Sequence, residues 1–438
     1  MGKKTFGIIL VSALAVTVVY ALAGRSQPYL PLPRFVRKVD WIGSGVWLKV
    51  DTHTHSTFSD GQHTIQEVVA QAERFGCDAV AITDHTDRNL QAGTDPYIQA
   101  IDQARQNHPR MIVLAGLEWN IPPWDGREHA TVLLPDHLDE GGMLARFKQQ
   151  FDGLGRWQQR PDQSDQALRW LAAQTATLGV RPVVIYNHPS RKQSSSRNIE
   201  EPITRWRKTN DLVIGFSGAP GHQRKDPIGS YRDTEQTVDR WDPAAARVGD
   251  AWDTLLQKGL DLWAARAPSD FHSQHDMFGD HWPGQFSETW VYAPSRSVSG
   301  ILQAFRAGTF FAAHGHIVRN VVLSVRAPGL SRAAWPGEAI RVKANSSITT
   351  QIDMLVPSRD WTGHENRIDA LELIAITPDN ARIVANRPPN AHAPAMVETI
   401  RVPPGGLVLR ARGRRVINDG PDLMFYTNPV RVLAEPDG

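Results

Sequence analysis

Between residues 47 and 316 the chain alternates short apolar stretches with stretches of helical periodicity. Ile65, Val68, Val69 and Ala72, for example, recur at the three- and four-residue intervals of an amphipathic helix. Apolar strands separated by helices are typical of a parallel sheet covered on both faces, and about seven such units favour a closed or distorted barrel. The predicted strands are 46–50, 79–82, 111–117, 130–134, 182–186, 212–216, 262–267, 288–293 and 309–313, and the predicted helices are 64–75, 95–107, 164–178, 249–258 and 298–307.

Two segments of this region, 135–165 and 189–245, are polar and rich in Trp, Arg, Pro and Gly. We interpret them as insertions at the mouth of the barrel. From Val321 onward the helical pattern disappears, and short apolar runs stand between Pro, Gly and Asn turns. That spacing predicts an all-β sandwich of about a hundred residues. Its predicted strands are 321–325, 339–342, 348–355, 368–376, 396–402 and 406–411.

The N-terminal residues 1–24 have the pattern of a targeting segment. Lys3 and Lys4 precede an uncharged apolar run from Phe6 to Ala23, which predicts a signal peptide or an N-terminal membrane anchor. The body is therefore expected outside the cytoplasm, either periplasmic or membrane-anchored. A proline-containing linker over 25–46 precedes the predicted barrel domain, 47–318, and the predicted sandwich domain, 319–438.

Charge and cysteine content narrow the classes of partner. The formal net charge is +2, so a nearly neutral body gives no electrostatic reason to expect nucleic acid. The single cysteine, Cys77, excludes an internal disulfide. A membrane contact is expected only through the N-terminal segment, and the remaining expected partner is a small-molecule substrate.

Imidazoles and carboxylates stand at the ends of the predicted strands. Residues two apart on a strand share a face, so His53 and His55 are expected to project to one side after the first strand. Strand ends meet at one mouth of a barrel, and the set is too large for one ion. We therefore predict two or three divalent ions, with an acid bridging two of them. The candidate ligands are His53, His55, Asp60, His85, Glu118, His129, His188, Asp270 and His272. Any one of them alone also fits a buried histidine or a helix-capping acid.

These residues lie in motifs that resemble, in order, those of the polymerase and histidinol phosphatase (PHP) superfamily. The resemblance covers roughly residues 48–315 and rests on His-Thr-His at 53–55, Asp-Gly at 60–61, Thr-Asp-His at 83–85, Gly-Leu-Glu at 116–118, Asn-His-Pro at 187–189 and Asp-Phe-His at 270–272. It implies a distorted (β/α)7 TIM-like barrel that holds two or three zinc, manganese or iron ions.

The resemblance also implies which ligands share an ion. His53, His55, Glu118 and Asp270 would hold one ion, and Glu118 would bridge to a second that is completed by His129 and His188. Asp60, His85 and His272 would hold the third. Many members with three ions have histidine at the position of Asp60.

Three weaker motifs resemble an exported branch related to carbaryl hydrolase. They are Gly-Ala-Pro-Gly-His-Gln at 218–223, Ala-Trp-Asp at 251–253 and Thr-Asn-Pro-Val at 427–430. They bear on architecture more than on substrate.

The expected function is that of a metal-dependent hydrolase, specifically a phosphoesterase whose nucleophile is a metal-bridging hydroxide. Asp270 or His222 is the candidate proton carrier for the leaving group. Arg191 and Arg224, with the adjacent Lys192 and Lys225, are candidates to bind an anionic substrate, although solvated loop charges fit them equally well.

Two alternatives remain at this point. The same ions can hydrolyse a carboxylic or carbamate ester, which a mouth poor in basic residues would favour. A non-catalytic binding module is the third reading, and nine ligand candidates in a polar mouth argue against it.

Overall fold

The computed structural model describes residues 32–87, 90–122, 128–136, 139–152, 162–191, 195–221, 229–231, 236–274 and 281–435. The predicted targeting segment, 1–24, lies outside these residues. Within the described ranges, no helix combines the length and the apolar character required to cross a membrane.

The first three quarters of the chain fold as a mixed α/β structure. Its strands are β1 Arg34–Arg37, β2 Val46–Asp51, β3 Ala79–Ile82, β4 Ile112–Asn120, β5 His129–Leu133, β6 Val183–Tyr186, β7 Val213–Phe216, β8 Ser287–Ala293 and β9 Phe310–His314. Its helices are α1 Ile65–Arg74, α2 Asp95–Asn107, α3 Glu140–Phe151, α4 Gln163–Gln174, α5 Glu200–Thr209, α6 Pro243–Ala246, α7 Ala251–Gln257 and α8 Val298–Ala307, with a 3₁₀ turn at Ser196–Ile199.

The strands of this part lie in the order β9-β8-β2-β3-β4-β5-β6-β7. The pairs β2–β3, β3–β4 and β6–β7 are parallel, as predicted. The pairs β4–β5, β5–β6, β2–β8 and β8–β9 are antiparallel, so the sheet is mixed and the predicted parallel sheet is present only in part. β4 and β5 are joined by residues 121–128 alone, fewer than the dozen or so that a parallel crossover needs.

Burial on both faces, in contrast, agrees with the apolar pattern. Val80 and Ile82 of β3 belong to one apolar cluster, which includes the buried faces of α1 to α5, whereas Ala79 and Ala81 belong to a second cluster with α8. Alternate residues of one strand therefore face two different cores, which explains why the strand is apolar throughout.

The predicted strand 262–267 belongs to a longer segment, residues 262–271, called the extended segment below, which makes single bridges instead of a ladder. Trp263 bridges Gly215 of β7, and Phe271 bridges Thr54 just after β2. The segment thus links the last strand of the row to the end of β2. A closed barrel requires continuous strand pairing, and this segment makes single bridges. The closed barrel therefore stays a prediction.

The two polar segments contain helices that composition alone concealed. α3 lies within 135–165 and buries Met143, Leu144 and Phe147, and α5 lies within 189–245 and buries Ile203 and Trp206. In both helices a few apolar residues at helical spacing are enough to bury one face, although the surrounding sequence is polar.

The C-terminal part is all-β, with strands β10 Arg319–Arg326, β11 Ala339–Lys343, β12 Ser347–Leu355, β13 Ala370–Ile376, β14 Ala381–Arg387, β15 Met396–Arg401, β16 Leu407–Arg415, β17 Leu423–Thr427 and β18 Val430–Glu435. β10, β12 and β15 form a separate sheet, and an apolar cluster contains residues of both sheets. β14, β17 and β18 were not predicted.

The larger sheet continues across the predicted domain boundary at 318/319. β17 pairs antiparallel with β9, and β1, from the predicted linker, pairs with β11. The boundary itself stays a prediction, because this pairing joins both parts in one sheet.

Candidate metal centre

The candidate ligands come from the ends of neighbouring strands. His53 and His55 follow β2, His85 follows β3, Glu118 lies near the end of β4, and His129 begins β5. Backbone contacts align these ends: Thr54 bridges Phe271, His85 bridges Glu118, and the amide of Asn187 donates to the carbonyl of His129. The register of the sheet therefore brings together residues that are far apart along the chain.

The innermost group consists of His53, His55, Glu118 and Asp270, all at most 1% exposed. The Nε2 atoms of His53 and His55 are 3.2 Å apart. Asp270 Oδ1 lies 3.4 Å from His53 Nε2 and 3.3 Å from His55 Nε2. One ligand atom from each of the four residues lies within 4.8 Å of every other, which is the spacing that a shared ion requires.

Glu118 is the centre of the cluster. Five imidazole nitrogens lie 3.2–3.3 Å from its two oxygens. They belong to His53, His129 and His188 at Oε1, and to His55 and His85 at Oε2. A carboxylate with different imidazoles around each oxygen is suited to bridge two cations.

An outer group lies toward solvent and contains His55, Asp60, His85 and His272. Asp60 Oδ2 is 3.6 Å from His85 Nε2 and 3.4 Å from His272 Nε2, and its side chain is 53% exposed. This group matches the set that the family resemblance implied for a third ion, with His55 added. A third group joins His85, Glu118 and His129.

Electrostatics keep the carboxylates of the inner group ionised. Burial alone raises the pKa of Asp270, but the nearby His53 and His55 outweigh it and hold the pKa well below its usual range. Burial likewise opposes ionisation of Glu118, and His53, His129 and His85 together hold its pKa well below the usual value. Both acids can therefore act as anionic ligands at neutral pH.

The histidines differ in protonation. Burial lowers the pKa of His188 to about 3 and that of His85 well below its usual value, so both imidazoles are neutral and offer a lone pair. Burial also opposes the charge on His55, but Asp270 and Glu118 raise its pKa well above the usual value. His55 must therefore release a proton when it binds a metal.

The donor set fits divalent ions of intermediate softness. Imidazole nitrogens and carboxylate oxygens together suit zinc, iron and manganese. In addition, Asp270 Oδ1 is a buried carboxylate oxygen that accepts no hydrogen bond among the described residues. A buried anionic oxygen is costly unless a cation lies beside it, and here that cation is either the protonated His55, whose Nε2 lies 3.3 Å away, or a metal ion that replaces its proton.

Two further acids near the ligands, Asp51 and Asp84, are not members of the clustered groups and hold the surrounding chain by hydrogen bonds. Asp51 accepts from the amides of His53 and Ser269, and so ties the end of β2 to the residue before Asp270. Asp84 accepts from Ser56 and Ser59 and fixes the loop that carries Asp60.

Of the predicted substrate and proton-transfer residues, Arg191 and Asp270 are described. Arg191 Nη1 lies 3.3 Å from Asp270 Oδ2, and its side chain is 22% exposed. The guanidinium is thus engaged with a ligand carboxylate. His222, Arg224, Lys192 and Lys225 lie outside the described residues.

Two buried residues of the site received no role from the sequence, although Asn187 belongs to the Asn-His-Pro motif at 187–189. Asn187 donates from Nδ2 to Glu118 Oε1 at 2.8 Å, and Arg266 lies behind it with 1% exposure. One sequence signal pointed to Arg266, since it is the only charged residue in the apolar stretch 262–267.

Comparison with known proteins supports the domain type. The PHP domain family matches residues 51–160. No curated protein matches the chain. Among solved structures, a two-domain protein from Bacteroides vulgatus, which contains a predicted PHP-like metal-dependent phosphoesterase, is 17% identical, and the alignment covers 89% of this chain and 95% of that one with a TM-score of 0.42.

A second similar structure is an amidohydrolase from Chromobacterium violaceum with bound sulfate and no metal. It is 20% identical, and the alignment covers 52% of this chain and 89% of that one with a TM-score of 0.29. Neither comparison bears on the carbaryl hydrolase branch, which stays a prediction. The family match confirms the resemblance found in the sequence for residues 51–160, which match the PHP domain family, and the resemblance beyond residue 160 stays a prediction.

Proposed function

We propose that this protein is a metal-dependent phosphoesterase that hydrolyses a small phosphate ester at a site for two or three divalent ions. The observation that carries the proposal is Glu118, a buried carboxylate with imidazole nitrogens 3.2–3.3 Å from both oxygens. One or two hydrogen-bond donors are enough to hold a buried structural carboxylate. Five imidazoles around one carboxylate are expected instead where that carboxylate bridges metal ions that the imidazoles also bind.

The proposed ligands follow the family resemblance, and two of the three sets coincide with the inner and outer groups. His53, His55, Glu118 and Asp270 would hold one ion, and Glu118 with His129 and His188 would hold the second. Asp60, His85 and His272 would hold the third, with His55 and His85 close enough to contribute to two sites. Zinc, manganese and iron all suit this donor set.

When bound, such ions supply an activated water and neutralise charge that develops on the phosphoryl oxygens. The chain supplies the rest. Arg191 binds Oδ2 of the anionic Asp270, and Oδ1 of the same carboxylate lies toward His53 and His55. Because its pKa lies well below the usual range, Asp270 is ionised, carries no proton to donate and is a weak base, so His222 is the proposed donor to the leaving group.

Hydrolysis of a carboxylic or carbamate ester is the second candidate, and one observation favours it. Asp270 already pairs with Arg191 and offsets part of the positive charge that an anionic substrate would use. A neutral ester loses less from this pairing than a phosphate ester does.

The deciding experiment uses the purified full chain. Its zinc, manganese and iron contents are measured, and an aryl phosphate, a phosphodiester, a carboxylic ester and a carbamate are assayed side by side. Hydrolysis of a phosphate ester that stops on chelation and returns with metal supports the proposal. A metal-loaded protein that cleaves the carbamate alone overturns it.

Architecture and location enter the proposal as expectations. We infer that β2–β9 and the segment 262–271 are a distorted (β/α)7 barrel, since that segment bridges both β7 and the end of β2. We also infer that the body acts outside the cytoplasm on a small-molecule ester, without a nucleic-acid partner. Cell fractionation tests the location, because a cytoplasmic full-length protein would contradict it.

Replacing Arg191 with glutamine is expected to lower kcat/KM for a phosphate ester by about 10–100-fold, because a charge-assisted hydrogen bond is worth about 1.5–3 kcal/mol. The effect on a neutral carbamate should be smaller. Steady-state kinetics on both substrates provide the comparison. Arg197→Gln is the control, since Arg197 is half exposed and pairs with Glu200. Equal losses on both substrates would show that Arg191 acts on Asp270 alone.

A further inference from the structure

A layer of four buried polar side chains lies behind Glu118 and outside the ligand set. Thr131 comes from β5, Asn187 follows β6, Ser217 follows β7, and Arg266 comes from the extended segment. All four are at most 1% exposed. Polar groups at this depth are costly unless each has partners, so their arrangement is specific.

The amide of Asn187 has a fixed orientation in this layer. Its Oδ1 accepts from Thr131 Oγ1 at 3.0 Å, from Arg266 Nη1 at 3.4 Å and from Ser217 Oγ at 3.5 Å. Its Nδ2 donates to Glu118 Oε1 at 2.8 Å. A flipped amide would place an oxygen against the carboxylate and an NH₂ group against the guanidinium, so three donors behind the residue force its N–H toward Glu118.

Arg266 anchors the layer. Its remaining donors go to the side chain and carbonyl of Thr52, immediately before His53, and to Ser217 Oγ. It thus connects the backbone at the first ligand to the amide that contacts the central carboxylate. A planar guanidinium with several directed donors is suited to hold such a junction.

We propose that Asn187 is a positioning residue for Glu118 and that Arg266, Thr131 and Ser217 act through it, so that the layer fixes the carboxylate oxygen that faces His53, His129 and His188. This inference rests on the proposed function, because it concerns the same ions. The proposal predicts different effects on the inner ions and on the outer ion of the cluster. Ions that depend on Glu118 Oε1 should need Asn187, whereas the outer group of His55, Asp60, His85 and His272 does not contain Glu118.

The test is titration of the metal-free full chain with Mn²⁺, followed by calorimetry, for wild type and Asn187→Leu. Loss of a partner that orients a ligand typically weakens metal binding about 10–100-fold. We expect that loss for the ions that share Glu118 and an unchanged affinity for the outermost ion. Asn210→Ala is the matched control, because the described hydrogen bonds of the Asn210 side chain go to the end of α5 and to the amide of Leu212, and none goes to a candidate ligand.

A second variant keeps the proposal testable if Asn187→Leu fails to fold. Thr131→Val removes one donor to the amide at nearly constant volume, and a loss of a few-fold in Mn²⁺ affinity is expected. In the double variant Thr131→Val/Asn187→Leu the losses should not add, because both act through one amide. Additive losses, or wild-type Mn²⁺ binding by either single variant, would overturn the proposal.

The titration also separates this inference from the proposed function. A wild-type protein that binds Mn²⁺ but cleaves no phosphate ester overturns the phosphoesterase proposal. The role of Asn187 is then still decided by the Mn²⁺ affinities of wild type and Asn187→Leu. A wild-type protein that binds neither Mn²⁺ in this titration nor zinc or iron in the metal analysis overturns both.

Discussion

Asp270→Asn is expected to lower the rate of hydrolysis by about a thousandfold or more while the protein stays folded. Asparagine has nearly the same shape, so the change removes one buried negative charge and little else. That charge lies 3.3–3.4 Å from His53 and His55 and is held by Arg191. Loss of a preorganised electrostatic group at a reaction centre costs about 10²–10³-fold, and loss of a metal ligand adds to it.

The measurement is kcat together with the bound metal per chain. Asp102→Asn is the control, because Asp102 lies on the surface of α2 with a side chain 52% exposed and pairs with Arg105, away from the candidate ligands. Full activity of Asp270→Asn with a normal metal content would show that the inner group is wrongly assigned.

Much of the candidate site follows from the sequence because strand ends and ligands coincide. Asp51, His53 and His55 share the two-residue spacing of a strand, and the structure brings His53 and His55 beside Glu118 and Asp270. The same spacing does not tell which of these three residues joins the ligand cluster. Asp51 instead accepts backbone hydrogen bonds, because its carboxylate lies against the segment that carries Ser269.

The direction of several strands could not be predicted, since direction depends on connections and not on apolar character. β5 and β8 have the composition of buried parallel strands, yet both pair antiparallel with their neighbours. The helices α3 and α5 were missed for a related reason. Each has a narrow apolar face within a polar segment, and only the tertiary contact makes that face sufficient.

Two of the three motifs that resemble an exported branch, 251–253 and 427–430, have a structural explanation. Asn428 accepts from the amide of Ala265 and donates to the carbonyls of Gly308 and Phe310, so it joins the C-terminal part to the extended segment and to the start of β9. Trp252 and Asp253 contact Arg410 of β16. These residues hold the junction between the two parts, which agrees with a bearing on architecture more than on substrate.

The pair of Asp253 and Arg410 should therefore control stability more than any other contact of the junction. Both side chains are fully buried, with Nε and Nη2 of Arg410 at 2.8 Å and 3.0 Å from the two carboxylate oxygens. The guanidinium also lies 4.8 Å from the ring of Trp252. Asp253→Ala leaves this charge without a counterion, and we expect the free energy of unfolding to fall by about 3–5 kcal/mol.

Urea denaturation measures the loss, and two comparisons identify its cause. Glu201→Ala breaks the exposed pair with Arg205 and should cost less than about 1 kcal/mol. Asp253→Leu combined with Arg410→Met removes both charges. Because no uncompensated charge then stays buried, this double variant should be more stable than Asp253→Ala alone. If Asp253→Ala and the double variant unfold at the same urea concentration, the uncompensated charge is not the cause, and loss of packing against α7 explains the effect instead.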